Sequence, residues 1–207
     1  WIILPEITLV LFLIIAAFHF GKEDNVFKKN RTKYLSLFLF LKGSLIILAP
    51  LYFNFDETVK IFEVLNLKIE NINSSILLTL IIVSVLSSFI INKDFIFPFV
   101  DCFTIIILNY TFSPIIAFTI YFCFLHSIRH SVALIYEIDN KNFKKGKKIF
   151  FQKALPLTIV TGLLFLVGLF ILNNFYSFNY SVLKVIFIGL ASLTFPHILL
   201  EYLLEKK

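Results

Sequence analysis

The chain has no methionine, two cysteines, six glycines and six prolines, and only 15% of its 207 residues are charged. Each scarcity closes off a class of protein. Cys102 and Cys123 sit in apolar segments without CxxC spacing or a secreted context, so a disulfide framework is not expected, and both read as small core hydrophobes. So few charges cannot clothe a soluble surface when 59% of residues are hydrophobic, 17% are aromatic and the mean hydropathy is +0.91. The absence of Gly/Ser linkers, repeats and low-complexity tracts leaves no seam, so residues 1–207 read as a single integral membrane domain. Because the chain opens on Trp1 and lacks methionine throughout, an upstream portion, including an N-terminal span, is expected to precede it.

What is abundant is apolar sequence in runs. Segments at 1–20, 35–53, 76–91, 95–111, 114–136, 154–173 and 181–203 approach the ~20 residues that cross about 30 Å of hydrocarbon. The expected fold is therefore an all-α polytopic transmembrane helix bundle of about seven spans. The third and fourth segments are short and separated only by Asn92, Lys93 and Asp94, which suits a tight helical hairpin or a partly re-entrant pair, with breaks at Pro98 and Pro114.

The loops set the orientation. Lys22, Lys28, Lys29, Arg31 and Lys33 crowd the 21–34 loop, and Lys141, Lys144, Lys145, Lys147, Lys148 and Lys153 crowd 137–153. Both belong on the cytoplasmic side. The 54–75 loop is acidic (Asp56, Glu57, Glu63, Glu70) and the 174–180 loop uncharged, so both face outward. Seven spans starting with Trp1 outside satisfy every loop and place the chain in the cell inner (cytoplasmic) membrane. The net charge of +6 follows from this insertion pattern and calls for no nucleic acid.

Only four histidines occur, and the topology puts all of them at mid-depth or in the cytoplasmic half. His126 and His130 stand one turn apart in a nearly apolar segment, so both imidazoles share one helix face, His126 about 18 Å below the outer end and His130 about 6 Å deeper. Imidazole in hydrocarbon is costly unless partnered. Metal ligation is the favoured reading of this pair and interhelical hydrogen bonding the competing one. His19, near the inner edge of its span, also fits an interfacial hydrogen-bonding role. His197, behind Pro196, also fits a helix-kink partner. An all-imidazole set suits iron, copper or zinc and argues against magnesium or calcium. Glu201, one turn past His197, and Asp101 are candidates for accepting the second imidazole N–H. Arg129 lies between the paired histidines in sequence but on another face. The 27 phenylalanines would suit a long conjugated ligand, but with only two arginines and abundant Ile, Asn and Lys they read first as the bias of an AT-rich genome.

Four ordered motifs carry a resemblance. They are Phe18-His19-Phe20-Gly21-Lys22-Glu23-Asp24, the run Lys42-Gly43 to Pro50, the run Tyr121 to Ser131 with its His126-x3-His130, and Leu193-Thr194-Phe195-Pro196-His197 running on to Glu201. Together the chain resembles the Brp/Blh family of bacterial and archaeal β-carotene dioxygenases over nearly its whole length. That resemblance implies a polytopic membrane enzyme that uses non-haem Fe(II) and O2 to split the central 15,15′ double bond of β-carotene into two molecules of retinal, often destined for a microbial rhodopsin. It implies iron ligation by His19, His126 and His130. The family usually has a further Gly-x-x-His-Gly-x-x-Asp motif in an earlier span, and nothing before His19 matches it, so that histidine is expected upstream. His197 then stands as a further ligand or an outer pocket residue. Two other classes stay open on the residues alone. A di-iron desaturase would need about eight histidines with HxxHH boxes, and a carrier or haem-binding electron-transfer subunit would use His126 or His130 differently.

Overall fold

In the computed structural model, residues 3–23, 34–91 and 95–205 are described, with only the backbone described for 195–205. The described residues are mostly helical and contain no strand. In chain order they form α1 (Pro5–Glu23), α2 (Leu35–Phe53), α3 (Phe55–Val64), α4 (Ser74–Ile91), α5 (Ile96–Thr111) and α6 (Pro114–Ile120). A π-helical segment (Tyr121–His126) then runs straight into α7 (Ser127–Ile138), followed by α8 (Phe143–Leu172) and α9 (Phe178–Glu205). Among the described residues, five stretches are long and apolar enough to cross a membrane: Pro5–Lys22, Leu35–Phe53, Ser74–Ile91, Pro114–Ile138 and Phe143–Leu172. Two further apolar helices, Ile96–Thr111 and Phe178–Thr194, are shorter. The expectation of seven spans therefore rests on these two. At 16 residues α5 rises about 24 Å, less than the roughly 30 Å of a hydrocarbon core. Pro98 and Pro114 do mark breaks, but each sits in the first turn of a helix, where its missing N–H would have lacked an intrahelical acceptor anyway.

Two loops carry more structure than their hydropathy suggests. The acidic 54–75 loop contains α3, with Asp56 and Glu57 in its first turn, where the helix dipole favours negative charge. Thr58 and Phe62 face inward, and Thr58 Oγ1 donates to the carbonyls of Pro50 (3.0 Å) and Asn54 (2.8 Å), tying α3 to the end of α2. The helix ends at Asn66, whose φ of 67° is the left-handed conformation of a Schellman cap, with Leu67 N–H donating to Phe62 and Asn66 N–H to Glu63. The basic 137–153 loop is mostly the start of α8, capped by Asn142 Oδ1 accepting from the Lys145 N–H at 3.1 Å. Hydropathy reads only the apolar part of α8, whereas helical backbone runs on through its lysines.

The chain packs as two compact units, 1–127 and 128–207, divided inside a continuous helical stretch. In the first, Ala16, Phe20, Leu45, Ile46, Ala49, Ile81, Cys102, Ile105, Leu108, Ala117 and Tyr121 form one core fed by α1, α2, α4, α5, α6 and the π segment. Its closest approach is α1 against α2. A Cβ at Gly43 would fall on the Ala17 carbonyl and stand 2.7 Å from the Gly21 amide nitrogen, and one at Gly21 would fall on the Leu39 carbonyl. Ala17 and Gly21 are four apart, the small-x3-small spacing that lets membrane helices touch backbone to backbone. Ser44 and Ser84 hydroxyls meet at 3.0 Å to join α2 to α4, and Asn54 Nδ2 donates to the Asn109 carbonyl at 2.6 Å, closing α2 onto the end of α5. In the second unit α7 packs on α8 at Gly146, where a Cβ would stand 2.6 Å from the Ile135 carbonyl. Further along, α8 meets α9 where Gly168 faces Val185.

Candidate metal centre

The Gly21/Gly43 crossing fixes α1 two residues beyond His19, and α1 thereby presents His19 to the π segment. His19 and His126 are both buried, at 7% and 6% exposure, and their rings meet with centroids 5.7 Å apart and planes at 69°. Two nitrogens each about 2.0–2.1 Å from a common ion bring their ring centroids to roughly 5–6 Å, a separation this edge-to-face pair also has. The donors are imidazoles, which suit iron, copper and zinc.

Aromatic rings enclose the pair. Phe20 stands edge-on to His126 at 4.7 Å and tilted to His19 at 5.9 Å, touching both imidazoles. On the other helix Phe118, Phe122 and His126 form a column, with successive centroids 5.6 and 5.4 Å apart and planes within 20° and 25° of parallel. An α-helix would carry each i+4 ring about 40° round the axis; the wider turn of the π segment counters that drift and keeps the column in line. Tyr121, buried in the core, stands edge-on to Phe20 with centroids 6.1 Å apart. Single-turn π segments occur frequently at functional sites, and this one ends on His126 itself.

The other sequence candidates fall as follows. His130 is half-buried on the first turn of α7, in the second unit. Asp101 is buried on α5 beside Cys102, in the same unit as the histidine pair. His197 and Glu201 lie on the part of α9 where the backbone alone is described. Among the described residues no group of three or more His, Cys, Asp or Glu side chains is placed to hold an ion. The structure thus brings together His19 and His126, from positions more than a hundred residues apart in sequence. It also adds Phe20, Phe118 and Phe122, which sequence reading did not single out, although the repeat of Phe118, Phe122 and His126 at four-residue intervals is visible in the sequence.

A family model described as β-carotene 15,15′-dioxygenase matches residues 1–205. The chain belongs to the β-carotene 15,15′-dioxygenase family. With that family it joins the carotenoid-cleaving dioxygenases. One relative, named β-carotene 15,15′-dioxygenase, from uncultured marine bacterium 66A03, is 27% identical over 210 residues, covering 97% of this chain and 73% of the relative. No solved structure matches. The dioxygenase family match spans α1, the π segment and α9 alike, so the imidazole pair lies inside the matched region.

Proposed function

We propose that the chain is a non-haem iron dioxygenase that cleaves the central 15,15′ double bond of β-carotene with O2 to give two molecules of retinal. Membership of the family supports the substrate and the bond. The single observation that carries the iron site is the buried contact of His19 with His126 inside an aromatic enclosure, in a chain built for the membrane. His19 and His126 would hold Fe(II), with Asp101 a candidate acceptor for an imidazole N–H; His130 as a ligand, and His197 and Glu201 as a further ligand or N–H acceptor, are assigned from their sequence motifs alone. Bound there, Fe(II) would supply the one-electron chemistry that lets O2 react with a closed-shell alkene.

The reaction balances without an outside reductant: one carbon–carbon double bond is lost and each carbon takes one oxygen atom of O2 as an aldehyde. No protein nucleophile or acid–base pair is required. What the chain's own residues supply is placement and dryness. The α1/α2 crossing sets the height of His19, the π segment sets that of His126, Phe20 touches both rings and Phe122 stacks on His126. β-Carotene is a hydrocarbon dissolved in lipid, so a site at membrane depth draws it directly from the bilayer. The lysine-rich loops support an orientation suited to the cell inner membrane, and in this reading retinal released there would pass to a microbial rhodopsin.

The test is co-expression with a β-carotene pathway in bacteria, scoring loss of orange colour and retinal by chromatography. The wild-type chain is expected to yield retinal and His126→Ala none, with equal amounts of both in the membrane. Purified protein that shows a Soret band, or full retinal production by His126→Ala, would contradict the proposal.

A further inference from the structure

A polyene offers no hydrogen-bonding handle at its centre, so an enzyme that cuts one of its many similar double bonds must read position by shape. Rigid rings beside the cutting point are the means available. The ring column on α6 and the π segment has this form: it ends on His126 and extends away from it through Phe122 and then Phe118, in two nearly parallel steps. Both phenylalanines are only partly buried, packed against the core on one side and open on the other. Phe20 lies beside the His126 end of the column, edge-on to His126 at 4.7 Å and 6.3 Å from Phe122.

We infer that Phe118 and Phe122 are the specificity-determining residues that set which double bond of the polyene stands at His126. The inference rests on the dioxygenase reading above and deepens it. One arm of the substrate lies along the column, and the fixed spacing of the two rings from His126 sets its depth of entry. With a ring removed the polyene slides along the wall, and a neighbouring double bond comes to the same place. The chemistry of an off-centre cut is unchanged, with one double bond lost and one atom of O2 delivered to each carbon, but the products become two aldehydes of unequal length instead of two retinals.

The experiment compares Phe118→Leu and Phe122→Leu with the wild-type chain in carotene-producing cells, resolving all aldehyde products by chain length and measuring iron in the purified proteins. Phe103→Leu serves as control, because Phe103 stacks on Phe99 on the exposed side of α5. The ratio of retinal to unequal aldehydes is expected to fall about tenfold in either column variant, on the scale of one lost ring contact, and to stay unchanged in Phe103→Leu. Retinal as the sole product of both column variants would overturn the inference. So would loss of all cleavage in both with iron still bound. A wild-type chain that forms no cleavage product at all would instead sink the dioxygenase reading, so the two failures are separable.

Discussion

Replacing Gly43 by alanine adds one methyl group at the point where α1 and α2 touch. An ideal Cβ there falls on the Ala17 carbonyl and stands 2.7 Å from the Gly21 nitrogen, so the obstacle is backbone rather than a side chain that can rotate away. Overpacking that side chains can absorb costs about 1–3 kcal/mol, and a clash with two backbone groups belongs at or above the upper end of that range. Relief requires α1 to shift away from α2, and His19, two residues before Gly21, moves with it while His126 stays on the π segment. Gly43→Ala should therefore lose both thermal stability and iron. Gly162→Ala is the built-in control, since nothing lies within 4 Å of a Cβ there and alanine is about 0.5–1 kcal/mol better than glycine inside a helix. The assay is thermal unfolding in detergent together with elemental analysis for iron. Gly43→Ala matching wild type in both would refute the close crossing and the positioning role assigned to it.

Two further outcomes follow from the same geometry. Phe20→Ala removes a core ring that touches both imidazoles and should cost about 3–5 kcal/mol of stability, with iron retention falling in parallel, read by the same two measurements. Ser84→Ala deletes the hydroxyl that meets Ser44 between α2 and α4, and hydrogen bonds between membrane helices average about 0.6 kcal/mol, so melting should fall only slightly and iron content should hold.

Much of this was legible in the sequence because hydrocarbon imposes simple requirements. Apolar runs had to be helices, and they are, within a few residues at most ends. His126 could be singled out because an imidazole in an apolar helix needs a partner. Its contact with His19 could not be derived from spacing, since a pairing across more than a hundred residues depends on how α1 meets the π segment; depth in the membrane gave only a shared level. The π segment itself escaped, because an extra residue per turn leaves hydropathy unchanged. The helical start of α8 escaped because its lysines resemble a loop to any hydropathy window, and α3 escaped because ten residues with an acidic first turn look like outward-facing linker. The Gly21/Gly43 contact left a partial trace, the Ala17-x3-Gly21 spacing, whose meaning appears only once the facing helix is known.

The central claim is that His19 and His126 grip one iron ion. It is tested most directly by elemental analysis of the purified full chain beside its His19→Ala and His126→Ala variants, each checked for an unchanged helical signal by circular dichroism. The account predicts about one iron per wild-type chain and none in either folded variant. Equal iron in all three proteins would contradict it.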